Sequence, residues 1–94
     1  MPYILVQHSV EDYARWKAGF DGHGATRQAS GSNGALVLRN AEDPNQVTVL
    51  MEWDSLENAR AFAGSDELRE AMQRAGVTGP PSVYFLEEAD RQSV

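Results

Sequence analysis

Val47-Thr48-Val49-Leu50-Met51-Glu52-Trp53 reads as a β-strand, rich in β-branched side chains and closing on an aromatic. Side chains alternate along an extended chain, so Val47, Val49, Met51 and Trp53 share one face and Thr48, Leu50 and Glu52 the other. A strand with one wet face alternates apolar with polar residues. This one has no clean polar face and calls for cover on both sides. Glu52 is the exception, an acid placed where burial is costly.

Upstream, Ala35–Arg39 is a second strand, also apolar on both faces through Leu36, Val37 and Leu38. The stretch Ala41-Glu42-Asp43-Pro44-Asn45-Gln46 between the two strands has turn chemistry, with a fixed φ at Pro44 and side chains that bond their own backbone. So short a link predicts an antiparallel hairpin. Tyr3–His8 is a further two-sided apolar strand. Ser9 offers a helix N-cap with Asp12 as its capping-box partner, opening a helix that carries Tyr13, Trp16 and Phe20 on one stripe. Gly22 and Gly24 loosen that helix around His23, and it runs to about Ala29, with Gly31 and Gly34 in the exit turn.

Downstream, Asp54 or Ser55 caps a helix that buries Leu56, Ala59, Phe62 and Ala63, and Gly64 breaks it. Ser65 caps the next segment, in which Leu68, Met72 and Ala75 recur at helical spacing until Gly76. Gly79-Pro80-Pro81 forbids further helix, and Val83–Leu86 is the fourth strand. One domain is expected over residues 1–94, with a frayed polar tail from Glu87 and a flexible segment at 88–94.

This order predicts an α+β, ferredoxin-like βαββαβ fold: a four-stranded antiparallel sheet with helices on one face. Strands that are apolar on both faces then leave a sheet face uncovered, larger than a soluble monomer shows. The expected solution is a homodimer through the open sheet face, the two sheets packing face to face.

Bulk properties narrow the function. With 14 acidic and 8 basic residues the net charge is −6, and Lys17 is the sole lysine, which argues against a nucleic-acid partner. The absence of cysteine removes disulfides, thiolate catalysis and cysteine metal sites. Met1–His8 lacks the basic start and apolar run of a signal peptide, and no stretch approaches the ~20 apolar residues of a membrane span. A cytoplasmic protein with no membrane partner is expected.

Several strings resemble the dimeric α/β-barrel superfamily, in particular its antibiotic-biosynthesis-monooxygenase-like members. They are Glu11-Asp12-Tyr13 through Trp16 to Phe20, Leu50-Met51-Glu52-Trp53-Asp54-Ser55, and then Ala59, Phe62 and Ser65 through Leu68 to Ala71. The resemblance implies a dimeric α/β barrel. It also implies small-molecule chemistry: some members oxidise aromatic polyketides without metal or flavin, some cyclise polyketides, and some degrade haem. The haem-degrading branch holds its cofactor with a tryptophan and a histidine, where this chain has Phe62 and Met72. The expectation is therefore no cofactor.

Candidate chemistry rests on few side chains. His23 and Arg27, four apart, stack on one helix face near the Trp16–Phe20 stripe, suiting a general base beside an oxyanion-binding cation. The competing reading is a solvated pair, or Arg27 bonded to Asp21. His8 shares a strand face with Ile4 and Val6 and suits proton transfer near neutral pH, unless it merely caps a backbone group at the rim. His8 and His23 with Glu52 or Asp21 lack the short spacing of a metal motif, so no metal site is expected. Trp16, Phe20, Trp53, Phe62, Met72 and Tyr84 are the expected pocket walls for an apolar or aromatic ligand, although for Trp53 core packing is the preferred reading. Arg39 is expected to pair with Glu42 or Asp43. Glu52 faces either the pocket, where it would be catalytic, or a symmetry mate.

The resemblance implies a cofactor-independent oxygenase or cyclase acting on an aromatic or polyketide-like compound, and His8, His23 and Arg27 are the residues expected to do the work. The alternative is a non-catalytic ligand-binding or structural dimer. It predicts an exposed His23 and Arg27 and a core filled by Trp16, Phe20 and Phe62.

Overall fold

A computed structural model describes all 94 residues. The elements run β1 (Pro2–Val10), α1 (Tyr13–Gly22), α2 (Gly24–Ser30), β2 (Ser32–Arg39), β3 (Gln46–Trp53), α3 (Leu56–Ala63), α4 (Asp66–Arg74) and β4 (Val77–Glu87). All pairings are antiparallel, in the order β2-β3-β1-β4, so β3 and β1 are the central strands. This is the ferredoxin-like α+β fold. The sheet of one chain is open and does not close on itself as a barrel.

The β1–β3 ladder sets Ile4 opposite Met51, Val6 opposite Val49 and His8 opposite Val47. Those side chains point towards the helices and are buried, as are Trp53, Trp16, Ala59 and Phe62. Removing a side chain such as Ile4 or Val49 from water stabilises the fold by about 1.5–3 kcal/mol each.

Several boundaries differ from the expectations, each for a local reason. Strand β1 continues beyond His8, because Ser9 pairs with Gln46 and Val10 with Val77. Ser9 is therefore not a cap. Asp12 caps α1, its carboxylate accepting from the Ala14 N–H at 3.0 Å. The first helix breaks at His23 into α1 and α2. Gly31 closes α2 in the left-handed region at φ 119°, whereas Gly34 lies inside β2, next to a register shift between Ser32 and Gly34. Strand β4 starts at Val77 and passes through Pro80 and Pro81, which an edge position tolerates. Ser55 caps α3 and Ser65 caps α4.

Residues 88–94 carry no helix or strand, but Tyr3 Oη donates to Glu88 at 3.2 Å and accepts from Arg91 at 3.1 Å. Arg39 makes no ion pair with Glu42 or Asp43. Its Nε donates to the Pro44 carbonyl at 3.0 Å and its guanidinium lies 3.8 Å from the Tyr13 ring centroid. Asp43 meanwhile accepts from the Asn45 N–H.

The outer sheet face is apolar along one cross-strand row, Leu36-Leu50-Leu5-Tyr84. Leu36 and Tyr84 are about half exposed there. Glu52 sits on this same face between Gly34 and Tyr3, turned away from the helices. Of its two possible places, it occupies the one outside the pocket.

Candidate functional site

A cavity of about 60 Å³ lies between the helix-facing side of the sheet and the helical layer. Its floor is Val6, His8, Val49 and Met51. Alternation along β1 and β3 places all four on one face. Trp16, Gly19 and Phe20 of α1 close one side, and Leu68 and Met72 of α4 the other. His23, Arg27 and Phe62 complete the wall. Trp16 stacks on Phe20 with ring centroids 5.0 Å apart, and the His8 ring meets Trp16 edge-on at 5.5 Å.

His8 is 7% exposed, and its Nδ1 has no hydrogen-bond partner within the chain. Burial holds its pKa below the ordinary histidine value, against a weaker upward pull from its own backbone. The imidazole is neutral at neutral pH and able to accept a proton. His23 occupies the break between α1 and α2, where its N–H bonds the Gly19 and Phe20 carbonyls. Its side chain is mostly buried, and Nε2 stands 3.6 Å from Glu67 Oε1, beyond hydrogen-bond reach.

Arg27 donates from Nη1 to the Phe20 carbonyl at 2.7 Å and lies 3.6 Å from the Phe20 ring centroid. These two contacts hold it across the wall. Burial lowers its pKa and the charge of Asp21 opposes that, but a guanidinium stays protonated in proteins. None of the five ion pairs in the chain includes Arg27. It is the one permanently charged side chain in the cavity wall, and it lacks a carboxylate partner within the chain.

Sequence reasoning placed His8, His23, Arg27, Trp16, Phe20, Phe62 and Met72 near a pocket, and the structure brings all seven into one wall. Two expected wall residues lie elsewhere. Trp53 is fully buried behind Phe62, ring centroids 4.9 Å apart, and is core. Tyr84 is on the outer face, because it pairs with Leu5 and shares its direction. The contributions of Gly19, Met51 and Leu68 were missed. Leu68 precedes Met72 by one helical turn, which is the available signal; Met51 shares a strand face with Val47 and Val49, and nothing else marks it.

A second, larger cleft of about 460 Å³ runs between β4 and the α3–α4 pair, past Val77, Pro80 and Val83. It shares Val6, Met51, Phe62, Leu68 and Met72 with the inner cavity. No three His, Cys, Asp or Glu side chains come together in a way that could hold a metal ion.

The model of the antibiotic biosynthesis monooxygenase family matches residues 9–74. The chain belongs to that family. No curated protein matches it by sequence. Among solved structures it is similar to a Bordetella bronchiseptica protein described as an antibiotic biosynthesis monooxygenase, at 19% identity and TM-score 0.79, over 94% of this chain and 96% of that one. It is also similar to SnoaB, a cofactor-independent oxygenase from Streptomyces nogalater, at 14% identity and TM-score 0.71, over 99% and 95%. A Deinococcus radiodurans protein of the same description gives 17% and 0.71 over 100% and 98%. At these identities the likeness is one of fold, and the antibiotic biosynthesis monooxygenase family assignment rests on the family model.

Proposed function

We propose that this family member is a small-molecule enzyme that oxygenates or cyclises an aromatic or polyketide-like compound without a cofactor. The observation that carries the reading is the pairing, in one apolar cavity, of a neutral buried imidazole at His8 with an unpaired cation at Arg27. Family membership and the SnoaB-like fold support it.

In this scheme His8, or His23 across the cavity, takes the proton from an acidic phenol or enol of the substrate. Arg27 receives the oxyanion so formed. The apolar walls of the cavity and of the adjoining cleft exclude water, which strengthens that ion pair and protects the electron-rich ring carbon for attack on dioxygen or on a carbonyl of the same molecule. The test is oxygen uptake and product analysis with a series of polyhydroxynaphthalenes. Replacing both histidines by alanine should lower kcat/KM by about 10²–10⁴-fold, the usual worth of general acid–base catalysis. Unchanged turnover would remove the histidines from the mechanism.

The alternative, a ligand-binding dimer without catalysis, draws on the small size of the inner cavity. It would show ligand binding with no oxygen uptake and no cyclised product. Under either reading we propose that two copies pair through the outer sheet face, where the Leu36-Leu50-Leu5-Tyr84 row otherwise meets water.

A further inference from the structure

The inner cavity is too small for a ring. An apolar cavity of about 150 Å³ is what accepts benzene, and this one measures about 60 Å³. It has room for a functional group of a few atoms, and the charge present there is that of Arg27. The outer cleft is larger, at about 460 Å³, and is walled mainly by aliphatic side chains and prolines, its one charged side chain, Arg69, being already paired with Asp66. Between the two stand Leu68 and Met72, which line both volumes from α4. That wall is able to yield, since α4 buries no residue fully whereas α3 buries Ala59 and Phe62.

We propose that Leu68 and Met72 are the specificity-determining residues of the site: the ligand is an elongated aryl anion whose charged head lies against Arg27 in the inner chamber and whose fused rings lie in the outer cleft, joined across this partition. The inference rests on the binding site proposed above and adds the shape of its ligand. The bulk at position 72 then sets how many rings the site accepts.

The probes are benzoate, 2-naphthoate and 9-anthroate, titrated calorimetrically into the full chain at pH 7. Met72→Ala should raise the affinity for 9-anthroate relative to benzoate by about tenfold, and Met72→Trp should lower that for 2-naphthoate relative to benzoate by a similar factor, the range over which pocket volume discriminates. Each readout is a ratio between ligands on one protein, which a general loss of folded material does not move. Ratios that stay at the wild-type value in both variants overturn the proposal. Arg27→Gln distinguishes its failure from that of the underlying site: if this variant loses all three acids while the Met72 ratios stay flat, the site stands and the partition falls. Wild-type protein that binds none of the acids, or binds them equally well as Arg27→Gln, overturns both.

Discussion

His8 couples the chemistry of the cavity to the stability of the fold. Its native pKa lies below the ordinary histidine value of about 6.5. Between the two values the unfolded chain holds more protons than the folded one, so stability rises with pH through that window and is complete above it. Urea midpoints measured from pH 7.5 downwards should therefore fall below about pH 6.5, and His8→Leu should flatten that fall. An identical pH profile in the variant would assign the acid lability to other groups. Arg27 makes the complementary prediction for binding. As the unpaired cation of the wall, its replacement by Gln should weaken aryl carboxylates by about 1.5–3 kcal/mol, the worth of a hydrogen bond to a charged group, as read by titration calorimetry. Single residues were only partly legible in the sequence. The stripe of Trp16, Phe20, His23 and Arg27 showed which side chains could converge. Nothing in the sequence sets the pleat phase of β4, and Tyr84, expected in the pocket wall, lies on the outer face for that reason.

At the level of elements, caps and turns decide where each helix stops. Ser65 Oγ accepts the Leu68 N–H at 3.2 Å and opens α4. Ser65→Ala should cost about 1 kcal/mol, measured by chemical denaturation, and should loosen the wall that carries Leu68 and Met72. Gly31 matters more. It sits at φ 119°, and an added Cβ would fall 2.5 Å from Asp54 Oδ1. Gly31→Ala should destabilise the protein by at least about 1–2 kcal/mol, the backbone cost alone. A neutral result would mean that the α2–β2 junction can rearrange. The sequence disclosed these caps because Ser and Gly have short-range jobs. It misassigned Ser9 because the pairing that extends β1, to Gln46 on β3 and to Thr78 on β4, is non-local.

For the molecule as a whole, the order of elements and the two-sided apolar strands sufficed to specify the ferredoxin-like sheet and its bare face. The cavity volumes were not legible, since they depend on how closely α1 and α4 approach. The proposed dimer predicts a mass twice that of the 10.3 kDa chain in light scattering at micromolar concentration. Leu50→Lys, at the centre of the outer apolar row, should shift the protein to monomer. A monomeric wild type would sink the pairing.

The two prolines of β4 bear on how copies meet. Consecutive residues of a strand direct their N–H groups to opposite sides, so Pro80 and Pro81 together remove one donor facing β1 and one facing solvent. The first loss coincides with the interruption in pairing between Ser82 and Thr78. The second leaves the open rim of the sheet unable to template another chain there. At the opposite rim, the irregularity between Ser32 and Gly34 disturbs the regular ladder of β2. Both margins are thus interrupted at one point, which works against strand-by-strand growth into fibrils. The pairing proposed above is then a lamination of two sheets, a contact that would end at two copies.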